Sequence, residues 1–241
     1  MKLCHPRLKN NEETLQFPYI PDVKLLLIDG HYYVYRSFFV IQNLSNSRGE
    51  PTNAIYGFMK TVRRMLKDLQ PEYGAVFWDE GLPQRRVELQ PAYKETRKEM
   101  PQPMVPQLEF IQKITPVLGF KNVSLPNTEA DDLMGCYALA AAKRNWEVIL
   151  ATNDKDLYQL VNAKVKVYTT AKPDLASPKD TFALIGEPEV LAKWDVPPSQ
   201  IGDVLAIAGD SVDNIPGAGI GRKTAAGLIR EHGGLDALLK N

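Results

Sequence analysis

The stretch KLLLIDG, from Lys24 to Gly30, is an apolar run that ends in an aspartate followed by a glycine. Three further short apolar runs follow along the chain, at Gly74–Asp79 (GAVFWD), Glu147–Thr152 (EVILAT) and Val165–Thr169 (VKVYT). Between them, the segments Ala54–Leu69 and Ala130–Arg144 repeat apolar residues at helical spacing. This alternation predicts an α/β fold with a central, mostly parallel sheet flanked by helices.

Acidic residues stand where these apolar runs end or where a helix begins. They are Asp29, Asp79, Glu129, Asp131, Asp132, Asp154, Asp156, Asp210 and Asp213. In a parallel sheet the ligand crevice lies outside the carboxyl ends of the strands, so one crevice can collect many of these side chains. Crowded carboxylates repel one another, and bound divalent cations are the usual remedy. The pattern therefore predicts a metal-dependent enzyme that acts on phosphate.

The type and number of these ligands bear on which metal is bound. All are oxygen donors without a nearby His or Cys, which favours Mg²⁺ or Mn²⁺ over Zn²⁺. The set exceeds what one ion needs, and two ions ~4 Å apart suit an in-line phosphoryl displacement. Each acidic segment taken alone also has a local explanation: Thr128 with Asp131 fits a helix capping box, and Asn153–Asp156 fits a polar turn.

A proline-rich, basic segment lies near residues 83–107. From Gln84 to Lys98 its net charge is +3, since five basic residues outnumber Glu88 and Glu95. A short helix starting near Pro91 would place Lys94 and Arg97 on one face. We interpret this segment as a basic arch inserted above the crevice.

The segment IPGAGIGRKTA, Ile215–Ala225, combines a Pro-Gly turn with three spaced glycines. A P-loop is disfavoured because Arg222 stands where that motif needs glycine and because no strand precedes it. A helix-hairpin-helix fits better, with exposed N–H groups and Lys223 gripping a DNA backbone. A purely structural glycine turn stays open as an alternative.

The composition of the chain sets broad limits on its class. The 241 residues carry 29 basic and 29 acidic side chains, which argues neither for nor against nucleic acid. Cys4 and Cys136 make an unconvincing disulfide pair, as expected of a reducing, cytoplasmic compartment. We expect no signal peptide and no membrane span. The expected units are a polar extension at 1–22, a metal-binding core at 23–181 and, at 182–241, a helical DNA-binding part with its hairpin near 203–230.

Several motifs occur together in a characteristic order: LLLIDG, YRSFF, TNAIYGF, VFWDE, AYKETR, EADDLM, TNDKDLYQL and GDSVDNIPG. In this combination the chain resembles the 5′-nuclease (flap endonuclease) superfamily, specifically the 5′–3′ exonuclease domain joined to bacterial DNA polymerase I. The resemblance spans about residues 24–240. It implies a PIN-like or resolvase-like core with a helical arch and a C-terminal helix-hairpin-helix. It also implies hydrolysis of DNA phosphodiesters near a 5′ end or at the base of a 5′ flap, which leaves a 5′-phosphate.

The resemblance implies roles for matching acidic and basic positions. The first metal ion would be held by Asp29, Asp79, Glu129 and Asp131, with Asp132 beside them. The second would be held by Asp154, Asp156 and Asp210, with Asp213 farther out. Lys94 and Arg97 match arch residues that steer and polarise the scissile phosphate.

The DNA-binding positions come from the same resemblance and from the hairpin. They are Arg36, Arg85, Arg86, Tyr93, Gly217, Gly219, Gly221, Lys223 and Thr224. Packing in the core stays an equal alternative for Tyr93. Two positions depart from the family: Arg85 replaces an aromatic residue, and the hairpin is one residue shorter. The shorter hairpin leaves a K⁺ site there open.

The expected partner is DNA as a 5′ flap, a nicked or gapped duplex or an RNA–DNA hybrid, bound by a monomer in the bacterial cytosol or nucleoid. No nucleotide cofactor is expected. A silent binder of branched DNA and a four-acid ribonuclease are the alternatives. The complete acid set disfavours the first and the hairpin disfavours the second. Both a stand-alone nuclease and a part of a longer polymerase remain open.

Overall fold

A computed structural model describes residues 23–170 and 182–240, so the extension predicted at residues 1–22 lies outside the described residues. The strands are β1 (Lys24–Asp29), β2 (Tyr73–Phe77), β3 (Lys121–Val123), β4 (Glu147–Ala151), β5 (Val165–Thr170) and β6 (Phe182–Ile185). The helices are α1 (Gly30–Val40), α2 (Asn53–Leu69), α3 (Gln84–Leu89), α4 (Val105–Ile114), α5 (Ala130–Ala142), α6 (Glu187–Trp194), α7 (Ile201–Ala208), α8 (Arg222–His232) and α9 (Leu235–Leu238).

The strands form one sheet in the order β3-β2-β1-β4-β5-β6. Strand β1 lies inside the sheet and pairs in parallel with both β2 and β4, so that Leu27 faces Ala75 on one side and Leu150 on the other. All pairs from β3 to β5 are parallel. Their carboxyl ends therefore meet at one edge, as the sequence predicts.

Alternation along β1 sends its side chains into two cores on opposite faces of the sheet. Leu26 and Ile28 pack with residues of α1, α2 and α4 on one face. Leu27 packs on the other face with residues of α5, α7 and α8, including Val204 and Ile229. The C-terminal helices thus share an apolar core with the sheet.

The structure corrects three local expectations from the sequence. The chain does not become helical at Phe182, because Phe182–Ile185 forms β6, which pairs antiparallel with β5 and extends the sheet beyond residue 181. No helix starts near Pro91: the described arch helix is α3, and Lys94 has a left-handed φ of 57°. Thr128 does not cap α5, since its hydroxyl donates to the Pro126 carbonyl and Glu129 is the N-cap residue.

Helices α7 and α8 are joined by residues 209–221, which gives the predicted helix–hairpin–helix arrangement. A Cβ on Gly217 would lie 2.3 Å from the carbonyl oxygen of Ala208, at the end of α7. Glycine is therefore required where the turn closes on that helix. Among the described residues, the helices are all too short or too polar to cross a bilayer.

Candidate functional site

A cavity of about 1110 Å³ opens at the carboxyl edge of the sheet. All the predicted acids except Asp132 line it, and both predicted catalytic cations, Lys94 and Arg97, line it as well. The acids come from the ends of β1, β2 and β4, from the start of α5 and from the loop after α7. Convergence from distant parts of the chain is what the sequence predicts for a crevice at this edge.

Asp29 is positioned by the end of β1 and the start of α1. Its carboxylate accepts the Tyr32 N–H at 2.9 Å, as an N-cap residue, and the Thr152 hydroxyl at 3.0 Å. A Cβ on Gly30 would lie 2.4 Å from the Trp78 ring, so only glycine fits directly after this aspartate. In the Asp-Gly pair of KLLLIDG, Asp29 therefore lines the cavity and Gly30 makes room for the Trp78 ring.

Asp79 links the end of β2 to the start of α5. Its Oδ1 accepts the Ala130 N–H at 2.8 Å, and its own N–H donates to His31 Nδ1 at 3.0 Å. Next to Ala130, the carboxylates of Glu129, Asp131 and Asp132 place one oxygen each within 4.8 Å of one another. The start of α5 therefore carries a compact triad of carboxylates that could hold a metal ion.

Asp154 and Asp156 lie in a tight turn after β4. The Asp154 N–H donates to the Thr152 hydroxyl at 3.1 Å, and the Asp156 N–H donates to Asp154 Oδ1 at 2.9 Å. The polar-turn explanation is therefore compatible with the site, since both side chains also line the cavity. The same Thr152 hydroxyl contacts Asp29, which joins the ends of β1 and β4.

Basic side chains neutralise some of the acids. Lys94, which is buried, pairs with Glu129 and lies 3.7 Å from Asp213, while Arg97 bonds Asp213 at 2.9 Å. Lys155 pairs with Asp210 at 2.6 Å. The Lys94 backbone N–H also donates to the Asp213 carbonyl at 3.2 Å, which fixes the lysine against this loop.

The remaining acids show the effect of crowding. Burial, together with nearby acids, raises the pKa of Asp29 and of Asp131 from 3.8 to about 7. Burial and the charge of Asp154 likewise raise the pKa of Asp156 to about 6, and burial raises that of Asp154. A divalent cation stabilises the charged form of a carboxyl group, so a cation bound in the cavity would lower these raised pKa values.

Glu129 shows the opposite behaviour. Burial by itself would raise the pKa of this carboxyl, but Lys94, Tyr93 and Arg86 lower it below its usual value. Its side chain is 3% exposed and accepts hydrogen bonds from all three partners. The donor set of the cavity is made of carboxylate oxygens, and hard divalent cations prefer this chemistry.

The predicted DNA-binding residues that precede residue 100 do not form one surface. Tyr93 is buried, and its hydroxyl donates to Glu129 at 2.9 Å. Arg86 also binds Glu129, and its second nitrogen bonds Asp132 at 2.6 Å. Arg85 is exposed on α3, and the Arg36 guanidinium lies 5.9 Å from the centre of the Phe182 ring, outside the cavity lining.

The predicted DNA-binding residues of the hairpin do not line the cavity, although Asp210 and Asp213 of the same connection do. Gly219 has a φ of 77° and, like Gly221, has open space where a Cβ would stand. Lys223 and Thr224 are exposed in the first turn of α8. Gly217 differs from Gly219 and Gly221. It lacks a side chain because it packs against the end of α7, not because a ligand needs access to its backbone.

The sequence reasoning missed several residues of the cavity. His31, Tyr35 and Phe39 line it from α1, and Lys155 pairs with an acid there. The i, i+4 spacing of Tyr35 and Phe39, in a helix capped by the site residue Asp29, was a signal that could have found them. Lys155 lies between Asp154 and Asp156 in the sequence, but its position does not indicate that it pairs with Asp210.

Comparisons with known proteins agree with this architecture. Residues 24–195 match the family model "5′-3′ exonuclease, N-terminal resolvase-like domain", and residues 196–241 match "5′-3′ exonuclease, C-terminal SAM fold". A 5′-3′ exonuclease of Aquifex aeolicus is 35% identical over 218 residues, which cover 90% of this chain and 72% of that protein.

Two other similar proteins are a polymerase and a phage nuclease. The thermostable DNA polymerase I of Thermus thermophilus is 40% identical over 224 residues, which are 92% of this chain but 25% of that polymerase. The bacteriophage T5 flap endonuclease, crystallised with DNA and metal ions, matches with a TM-score of 0.70 at 22% identity, over 90% of this chain and 78% of that one. At that identity the likeness shows the fold. On the family matches and the Aquifex relative, the chain belongs to the 5′-3′ exonuclease family.

Proposed function

We propose that this chain is a structure-specific 5′ nuclease that hydrolyses DNA phosphodiesters as a 5′–3′ exonuclease and a 5′-flap endonuclease. The observation that carries the proposal is one cavity in which partly buried acids with raised pKa values, Asp29 and Asp131, lie beside Lys94 and Arg97. Two Mg²⁺ ions, replaceable by Mn²⁺, fit its oxygen donors. When bound, such ions supply an activated water and stabilise charge on the leaving oxygen. The setting is DNA replication or repair in the bacterial cytosol or nucleoid.

The chain's own residues would divide the work around the reacting phosphate. Negative charge that attracts cations would come from Asp29, Asp131, Asp154 and Asp156. The first turn of α5 would hold the triad of Glu129, Asp131 and Asp132 next to Asp79. Lys94 and Arg97 lie on the cavity wall, where their positive charge suits a phosphate whose charge grows in the transition state. Arg97 is half-exposed and can reach an incoming strand.

The hairpin would bind the duplex away from the reacting bond. Exposed Lys223 and Thr224, with open backbone at Gly219 and Gly221, suit a phosphate contact that reads no bases. A K⁺ site in this turn stays a prediction. Since the chain spans about a quarter of the Thermus polymerase, activities of that whole polymerase are not carried over.

Cleavage of 5′-labelled DNA tests the proposal. A flap duplex and matched single and double strands are incubated with Mg²⁺, Mn²⁺ or EDTA. We expect a short 5′ product from the flap junction with either metal and none with EDTA. Asp154→Asn should lose cleavage and keep DNA binding, whereas Asp236→Asn, an exposed acid on α9, should retain both. Tight binding without cleavage under every metal would favour a silent binder of branched DNA.

A further inference from the structure

The acids around the cavity fall into two groups according to their partners. Glu129, Asp132, Asp210 and Asp213 form ion pairs with Arg86, Lys94, Arg97 or Lys155. Asp79 also has a partner, since its carboxylate lies 3.4 Å from His31. Within residues 23–170 and 182–240, no ion pair is found for Asp29, Asp131, Asp154 and Asp156. One group is thus free to take a metal ion, while the other is already neutralised by side chains of the protein.

Arg86 holds two members of the compact carboxylate triad at once. One guanidinium nitrogen donates to Glu129 Oε2 and the other donates to Asp132 Oδ1 at 2.6 Å. The third member, Asp131, adds to the charge that Arg86 experiences. The planar fork of arginine is suited to such double recognition of carboxylates. Arg86 therefore binds one oxygen on each of two carboxylates of the triad that could hold a divalent ion.

Helix α3, which carries Arg86, has little else to attach it. None of its six residues is buried, and Leu89 is 76% exposed. The Arg86 side chain is 38% exposed and Val87 is 36% exposed, and a nitrogen of Arg86 also lies 3.4 Å from the Tyr93 hydroxyl. Among the described residues, the side-chain hydrogen bonds from α3 to other elements all come from this guanidinium, so we expect the docking of α3 on α5 to depend chiefly on it.

The next part of the arch is held in another way. The Asn214 amide donates to the Ala92 carbonyl at 3.0 Å, and the Gln90 amide donates to the Asn214 carbonyl at 3.2 Å. Lys94 is fixed by its backbone bond to Asp213 as well as by its charge. The bonds to Asn214 and to the Asp213 carbonyl do not involve the triad. Lys94 and Tyr93 bind Glu129 independently of Arg86, so α3 can leave α5 while the turn that carries Lys94 stays in place.

We infer that Arg86 competes with a divalent metal ion for Glu129 and Asp132, so that the docked position of α3 and metal binding at the triad oppose each other. The inference rests on the proposed function only in taking the triad as a metal site. A metal ion and the Arg86 guanidinium bound to the same carboxylates would repel each other, and each would gain less from the negative charge of those carboxylates. The coupling is reciprocal: a docked α3 weakens metal binding, and bound metal weakens the docking of α3 by the same factor.

Calorimetric titration of the DNA-free protein with Mg²⁺ or Mn²⁺ tests the first half of this coupling. We expect Arg86→Gln to bind the metal about fivefold or more tightly than the unchanged protein, the lower range of measured couplings between sites. Arg85→Gln is the matched control, because it removes the same charge from the same helix at an exposed position with no contact to the triad. Equal affinity in all three proteins, or weaker binding by Arg86→Gln, overturns the inference.

Limited trypsin digestion tests the second half. In the unchanged protein we expect Mg²⁺ to speed cleavage after Arg85 or Arg86 relative to EDTA, because α3 is released. Arg86→Gln should be cleaved rapidly after Arg85 in both buffers, and Arg85→Gln should keep the metal dependence through cleavage after Arg86. A reporter peptide checks that trypsin itself is equally active in both buffers. Metal that protects α3, or leaves its cleavage unchanged, contradicts the release.

The two experiments separate failure of this inference from failure of the proposed function. Metal that binds all three proteins with one affinity leaves the nuclease proposal standing and removes only the role of Arg86. Folded protein that takes up neither metal overturns both. Circular dichroism establishes that each variant is folded before titration, and Lys94 and Tyr93 still satisfy Glu129 in Arg86→Gln.

Discussion

Replacement of Asp131 by asparagine should stabilise the metal-free protein at alkaline pH. The carboxyl contacts the Asp132 N–H through Oδ1 at 2.8 Å, and an amide oxygen can accept the same bond. The substitution therefore keeps the shape and the hydrogen bond while it removes a charge that lies among Asp132, Glu129 and Asp154. Residues that bind a ligand are often unfavourable for the stability of the ligand-free protein. An increase in the free energy of unfolding of Asp131→Asn is therefore expected if this carboxylate serves to bind a cation.

The magnitude follows from the raised pKa of Asp131. A change from 3.8 to about 7 corresponds to about 4 kcal/mol of unfavourable charging in the folded state. Solvent screening reduces this value because the Asp131 side chain is only partly buried, so we expect about 1–3 kcal/mol in favour of Asp131→Asn at pH 8. The penalty is fully present above pH 7 and disappears as the pH falls through 7 towards 3.8, because the folded protein then binds the proton first.

Urea denaturation in EDTA between pH 8 and pH 4.5 measures the effect. The unfolding free energy of Asp131→Asn should exceed that of the unchanged protein at pH 8, and the difference should shrink towards pH 4.5. Asp236→Asn controls for loss of an exposed acid and should stay within about 0.5 kcal/mol at every pH. Equal or lower stability of Asp131→Asn at pH 8 would refute the argument that crowded charge strains the site.

Two further outcomes concern the hairpin. Lys223→Ala should weaken DNA binding, and the slope of log K against log salt should become shallower by about 1, as for one lost phosphate contact; filter binding at several salt concentrations measures it. An unchanged slope would show that Lys223 does not contact the backbone. Gly217→Ala should lower the melting temperature, because its methyl group would meet the Ala208 carbonyl at 2.3 Å; Gly221→Ala, in open space, is the control and should melt near the unchanged protein.

The sheet and the cavity could be predicted because both follow from short-range patterns. Apolar runs that end in or shortly before an acid predict β1, β2 and β4 nearly to their ends, and parallel pairing then brings those ends together. Strands β3 and β6 were missed because KNV is too short and polar to show a pattern, and FALI joins the sheet only through pairing with β5. Such pairing is a tertiary effect that local propensity does not contain.

The partners of the charged residues could not be predicted from spacing. Arg86 lies 43 residues before Glu129 in the chain, and only the folded arch shows that the two meet. The conformation of Lys94 was also hidden, since a left-handed residue that is not glycine or asparagine carries no sequence signal. The resemblance to known nucleases predicts which residues lie near a reacting phosphate, but only the contacts between side chains show which acids are already neutralised by basic residues.

The shared core of the sheet and the C-terminal helices has a consequence for how the chain unfolds. The two family models divide it between residues 195 and 196, yet Val204 of α7 and Ile229 of α8 are fully buried in the core that contains Leu27 and Leu150 of the sheet. A cut at that boundary would uncover apolar surface on both fragments. We therefore expect the two matched regions to unfold together, so that the hairpin that would bind DNA melts with the sheet that carries the carboxylates.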